Sequence, residues 1–192
     1  MKGVIDLPPK ARYTREQIID TAYELVRTRG EAYLSARSLA AELGTSTAPI
    51  FTAFESIEAL FTEVVARAQA LYTEYINEGL AQTPAFKGAG LQYIRFAKDE
   101  PELFKMLFMR ADSGAPSHYF PSGDKNEPQV RGTIEGTYGF DGEQARRIYN
   151  HLAVYVHGIA VLYAQGSCIF TDEDVSRMLS EVFMALTKGE KT

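Results

Sequence analysis

The chain has 192 residues, 45% of them hydrophobic and 11% aromatic, enough apolar mass for one sizeable core or two small ones and too much for a disordered polymer. A net charge of −5 excludes a basic chain that coats nucleic acid indiscriminately, and the single cysteine, Cys168, excludes a disulfide framework and suits a reducing compartment. No apolar run approaches the roughly 20 residues of a membrane span, and the first residues hold no stretch long enough for a secretory signal, so a cytoplasmic protein without membrane contact is expected.

The elements read as helical almost throughout. Thr14 and Gln17 form a capping-box pair at the start of TREQIIDTAYELVRTRG, where Ile18, Ala22, Leu25 and Val26 make a stripe at helical spacing and Gly30 stops it. Ser35 caps a short helix with Leu39, Ala40 and Leu43 on one face, and Gly44 ends it, since glycine tolerates the left-handed conformation a clean stop requires. Ser46 is expected to cap the next short helix, with Pro49 in its first turn. Two short helices joined by a tight glycine turn are the geometry that lays a second helix into the major groove of DNA.

Ser56 caps a long helix reaching about Gly79, with Leu60, Phe61, Val64, Val65, Ala68 and Leu71 expected to bury one side. A break at Gln82-Thr83-Pro84 precedes FKGAGLQYIRFAKDE, and Pro101 opens PELFKMLFMR. Residues 112–128, with three prolines and two glycines, read as a long surface loop able to act as a lid, followed by a helix from about Gln129 to Tyr138. Two periodic helices close the chain. One runs from about Asp141 to Gly166 with Ile148, Leu152, Tyr155, Ile159 and Leu162 in register; the other starts at Asp172. No strand alternation persists and no internal repeat is visible.

Leu34, Leu39, Ala40, Ala41, Leu43, Gly44, Ser46, Phe51 and Phe54 stand in order at the spacing of the TetR family of bacterial repressors, which this chain resembles over its first fifty or so residues. The C-terminal half is similar to a subset with a His-Gly pair in the eighth helix, here His157-Gly158, with Ala153 where that subset often has tryptophan. The resemblance implies an all-α fold of about nine helices. It implies a helix-turn-helix DNA-binding domain over residues 1–57, and a helical ligand-binding and dimerisation domain over residues 58–192. Homodimerisation would use the last two helices.

The resemblance also implies which residues meet duplex DNA. They are Thr45, Ser46, Thr47, Pro49, Phe51, Thr52 and Ala53 on or beside the recognition helix, and Arg37 at the start of the helix before it. Hydroxyls at Thr47 and Thr52 can bond phosphates or base edges, while threonine methyls, Pro49 and Ala53 can meet a thymine methyl. Lys10, Arg12, Tyr13 and Arg15 are positioned to grip the backbone, and Phe54 is expected in the core. Three departures from the family pattern remove polar groups: Phe51 replaces the usual tyrosine, Ala53 a histidine or tyrosine, and Ile57 a lysine. Up to Ser56, seven lysines and arginines balance seven acids, so binding of modest affinity, leaning on Arg37 and the arm, is expected.

Tyr72, Tyr93, Phe104, Phe108 and His157 are the candidate ligand contacts, in a region rich in aromatics and methionine, and the effector is expected to be a small apolar or amphipathic molecule. No cofactor or metal is expected. The three histidines do not stand at i, i+4, and there is no HExxH, GxSxG, Walker loop or dinucleotide glycine fingerprint, so an enzyme is not expected. Two readings remain open: a ligand-responsive transcriptional regulator, released from its operator when its effector binds, and a helical adaptor or small-molecule binder of the same fold that does not bind DNA.

Overall fold

The computed structural model describes residues 13–110 and 124–188; Lys10, Arg12, His118 and residues 112–123 of the expected lid lie outside them. The described residues hold nine α-helices, one 3₁₀ turn and no strand, which is the all-α TetR-like fold expected. The chain divides into two compact units between Ala66 and Arg67.

In the first unit, α1 (Arg15–Arg29) opens on a reciprocal cap: the Gln17 amide donates to Thr14 Oγ1 at 3.2 Å and the Thr14 amide to Gln17 Oε1 at 2.9 Å. The stripe Ile18, Ala22, Leu25 and Val26 is buried, together with Ile19 and Tyr23. After the 3₁₀ turn Glu31–Tyr33 comes α2 (Ala36–Glu42), capped by Ser35 and Ser38 in the same reciprocal manner. Its end is a Schellman motif. Gly44, at φ 63°, donates to the Ala41 carbonyl at 3.1 Å, and Thr45 donates to Ala40 at 2.9 Å.

The next helix, α3 (Ala48–Ala53), corrects the expected cap. It starts from Thr47, already helical at φ −72° and ψ −14°, and no side chain caps it. Had Ser46 been the cap, its hydroxyl would seek the amide three residues on, which is Pro49 and has no N–H. The Ile50 amide instead donates to the Thr47 carbonyl at 3.1 Å. Leu39, Ile50 and Phe54 are buried and pin the two short helices to the core.

Ser56 then caps α4 (Ile57–Leu80), its Oγ accepting from the Ala59 amide at 3.1 Å. The buried side of α4 is Leu60, Val64, Ala68, Tyr72 and Ile76, one residue every four. Phe61, Val65 and Leu71, expected in that stripe, are only half-buried, because the buried stripe follows the i, i+4 row and they lie beside it.

The second unit continues with α5 (Ala85–Asp99), α6 (Pro101–Phe108), α7 (Glu127–Tyr138), α8 (Gly142–Ala164) and α9 (Asp172–Lys188). Its α7 begins two residues before the expected start, with Pro128 in the first turn. Asp141 caps α8, accepting from the Glu143 and Gln144 amides at 3.0 and 2.8 Å. Within this unit α5 packs most extensively on α8. Phe96, Leu103, Phe104, Ile134 and Ile148 form its fully buried centre.

Candidate functional site

The first unit offers a surface. Arg37, Ser46, Thr47, Phe51 and Thr52 are exposed, while Thr45, Pro49 and Ala53 are half-buried, so the segment 45–53 lies on the surface of its own unit rather than inside it. Phe51 is 50% exposed, whereas Phe54 at 5% lies in the core. Thr52 Oγ1 donates to the Ala48 carbonyl at 2.9 Å, which keeps its lone pairs outward but commits its proton to the helix. Arg37 makes no hydrogen bond or ion pair among the described residues and is available to an outside anion.

Two arm residues are held within the unit instead. The Tyr13 hydroxyl donates to the Leu43 carbonyl, so it fastens the lead-in of α1 to the end of α2. Arg15 Nη2 meets Glu63 Oε1 at 2.6 Å in an exposed pair, and its guanidinium lies 4.6 Å from the Phe54 ring centre. Tyr33, 58% exposed next to α2, was not among the sequence candidates. It sits in a 3₁₀ turn, where no periodic pattern marks a face.

The second unit holds a cleft-like cavity of about 250 Å³, partly open to solvent. Tyr72 and Ile76 of α4, Tyr93 of α5, Tyr149, Leu152 and Val156 of α8, and Leu179 and Phe183 of α9 line it, with Asp124 just before α7. Of the five ligand candidates, Tyr72 and Tyr93 stand in this wall. Phe104, Phe108 and His157 stand behind it: Phe104 and Phe108 pack on Tyr93 at 5.6 and 5.2 Å between ring centres, and His157 lies 5.8 Å from Phe104. Tyr149, Leu152, Ala153 and Val156 follow i, i+3, i+4, i+7 on α8, whereas of the register expected there, Ile148, Leu152, Tyr155, Ile159 and Leu162, only Leu152 meets the cavity. Asp124 carried no periodic signal, because it precedes its helix.

Three polar pairs surround the cavity. Tyr72 donates its hydroxyl proton to Asp124 Oδ2, and the Asn126 amide donates to Asp124 Oδ1 at 2.8 Å. Burial raises the Asp124 carboxyl above the ordinary carboxylate value, against those two hydrogen bonds, which lower it. Burial, with Asp124 adding to it, holds the Tyr72 and Tyr93 hydroxyls well above the usual phenol value, so both stay neutral. Tyr93 Oη lies 2.9 Å from His157 Nδ1, and burial lowers the His157 pKa.

These features meet a known pattern. Residues 18–64, from within α1 to the first two turns of α4, match the model of the bacterial regulatory proteins, tetR family. Across 191 residues the chain is 23% identical to an uncharacterised HTH-type transcriptional regulator, Rv0681, of Mycobacterium tuberculosis, covering 98% of this chain and 86% of that one. It also shares its fold with native NalD, the secondary repressor of the MexAB-OprM multidrug efflux pump in Pseudomonas aeruginosa. That likeness has a TM-score of 0.53 and 14% identity, over 89% of this chain and 94% of the other.

Proposed function

We propose that the protein is a ligand-responsive transcriptional regulator of the TetR family, a repressor that leaves its operator when a small apolar or amphipathic molecule fills the cavity. The observation that carries this reading is the pairing of an exposed α3, held by the Gly44 turn, with an apolar cavity in the other unit of the same chain. Arg37, Thr45, Ser46, Thr47, Pro49, Phe51, Thr52 and Ala53 form the DNA-facing set, with the functional division at the start of α4. Exposed apolar side chains on the last two helices, Val154, Leu162 and Met184, support a homodimer, because single water-facing positions of this kind bury readily against a two-fold mate. The His157-Gly158 pair on α8 belongs to the same proposal through its bond to Tyr93.

Such a dimer presents two α3 helices about 34–36 Å apart, one turn of duplex, and a ligand that favours a different spacing lowers operator affinity. Because α4 carries both Ser56 at its start and Tyr72 in the cavity wall, it is the covalent path for that coupling, which in such systems amounts to about 1–3 kcal/mol. The adaptor reading draws on Phe51, Ala53 and Ile57, which place apolar groups where phosphate donors are usual in the family.

Fluorescence anisotropy on DNA from upstream of the gene separates the two. Salt-dependent binding at least about a hundredfold tighter than to shuffled DNA supports the regulator, and no measurable binding to either sequence supports the adaptor. Molecules that co-purify with the protein, identified by mass spectrometry and returned to the assay, test release from the operator.

A further inference from the structure

The cavity wall contains two charged side chains among the described residues, Asp124 and Lys87, in a lining that is otherwise apolar or aromatic apart from Ser180, whose hydroxyl donates to the Ser176 carbonyl of its own helix. Asp124 is unusual in its partners. Its two oxygens take only neutral donors, the Tyr72 hydroxyl and the Asn126 amide. Among the described residues no lysine or arginine pairs with it; the adjacent Lys125 turns instead to Gln69, donating to Oε1 at 3.2 Å. An ionised carboxylate withdrawn from water without a cation is costly, so the site is stabilised by whatever positive group enters it.

The rings around Asp124 point to the same chemistry. Tyr72 and Tyr93 meet edge to face at 5.8 Å between centres, and Tyr149 lies in the same wall. All three phenols are raised by burial first and by the charge of Asp124 among the further causes, which puts that carboxylate within electrostatic reach of each ring. Neutral tyrosine faces attract a cation through the ring quadrupole, and a cation also answers the carboxylate. Lys87 does not cancel this. It lies six residues along α5 from Tyr93, about 9 Å by helix rise, and is half-buried with a stem long enough to carry its ammonium toward water.

We propose that the cavity selects small lipophilic cations, an alkyl- or aryl-ammonium seated on Asp124 within the rings of Tyr72, Tyr93 and Tyr149. This rests on the cavity being the effector site, and it names the ligand's charge. An amphipathic anion anchored on Lys87 is the competing occupant.

Calorimetric titration of the purified full chain with three probes of nearly one shape decides between them: benzyltrimethylammonium, its uncharged carbon isostere neopentylbenzene, and the anion 2,2-dimethyl-3-phenylpropanoate. The unaltered protein is expected to bind the ammonium roughly tenfold tighter than the isostere and to bind the anion most weakly. Asp124→Asn is expected to lose that tenfold preference while keeping the isostere within about twofold, and Lys87→Met to leave the ammonium unaffected. Tighter binding of the anion, or equal binding of ammonium and isostere to the unaltered protein, overturns the proposal even if Asp124→Asn does not fold. If none of the three binds, the effector-site reading falls with it. Operator binding, measured separately without ligand, stands or falls on its own.

Discussion

Gly79 and Gly88 bring the backbones of α4 and α5 into direct contact. A β-carbon on Gly88 would stand 2.1 Å from the Gly79 carbonyl oxygen, and one on Gly79 would stand 2.5 Å from the Gly88 carbonyl oxygen. No side chain can move aside to relieve either clash, so both positions require glycine for space rather than for dihedral freedom. The close approach sets α5 beside α4 and thereby places Tyr93 near Tyr72, which gives the cavity two of its walls.

Gly88→Ala is therefore expected to destabilise the second unit by about 3 kcal/mol, at or beyond the upper end for an overpacked site. Gly90→Ala, two residues on, is the control. Its β-carbon would meet Val156 Cγ2 at 3.5 Å, an ordinary contact, so a rise in helix propensity of about 0.5–1 kcal/mol should leave it neutral or more stable. Urea unfolding followed by circular dichroism reads both, and equal midpoints for the two variants would contradict the clash.

Gly44→Ala tests the turn of the helix-turn-helix. A β-carbon there meets nothing within 4 Å, so the cost is the positive φ alone, roughly 1–2 kcal/mol. Gly44→Asn should cost less, since asparagine tolerates the left-handed region. Hydrogen exchange at the amides of α2 and α3 reports the loss locally. Protection unchanged by Gly44→Ala would mean that the turn does not depend on that conformation.

His157 makes the second unit sensitive to acid. Burial lowers its folded pKa below the ordinary value of 6.5, so the unfolded chain takes up a proton first as pH falls. The stability tied to neutral His157 is complete above 6.5 and is lost as pH drops through the lowered folded value. Melting temperatures of the wild type and His157→Gln, compared from pH 8 to pH 5, should show the wild type losing ground to the variant on the acid side. A difference that stays constant with pH would overturn this, and subtracting the variant removes the opposite slope contributed by Asp124.

Arg37 and Phe51 test the DNA-facing surface in opposite directions. Arg37→Ala should weaken operator binding and reduce the slope of log affinity against log salt by about one for each phosphate no longer neutralised. Phe51→Tyr restores a hydroxyl on an exposed ring and should tighten binding by about 2–10-fold, the worth of one added hydrogen bond of 0.5–1.5 kcal/mol. Anisotropy titrations across a salt series measure both. Wild-type affinity in Arg37→Ala, or no tightening in Phe51→Tyr, would remove that residue from the DNA-facing set.

Much of this was legible before any coordinates, because it is written locally. The capping pair of Thr14 with Gln17, the stop at Gly44 and the stripe of α1 depend on neighbours within one or two turns, and those signals survive in linear order, whereas on α8 Ile148, Leu152 and Ile159 are buried as expected but Tyr155 is half-buried and Leu162 exposed. The absent cap at Ser46 has a local cause too, since Pro49 has no amide to offer its hydroxyl.

What only the tertiary structure decided is which side chains meet across distance. Composition points to the aromatics, but nothing in their spacing separates Tyr72 and Tyr93, in the cavity wall, from Phe104, Phe108 and His157 behind it. Nor could it show that Arg15 turns to Glu63, that Tyr13 closes on Leu43, or that Asp124, outside every periodic element, reaches Tyr72 fifty-two residues away. Helical periodicity reports a direction around one axis. The identity of the partner on that side depends on how several axes pack, and here that packing turns on two glycines whose missing β-carbons no pattern of hydrophobicity records.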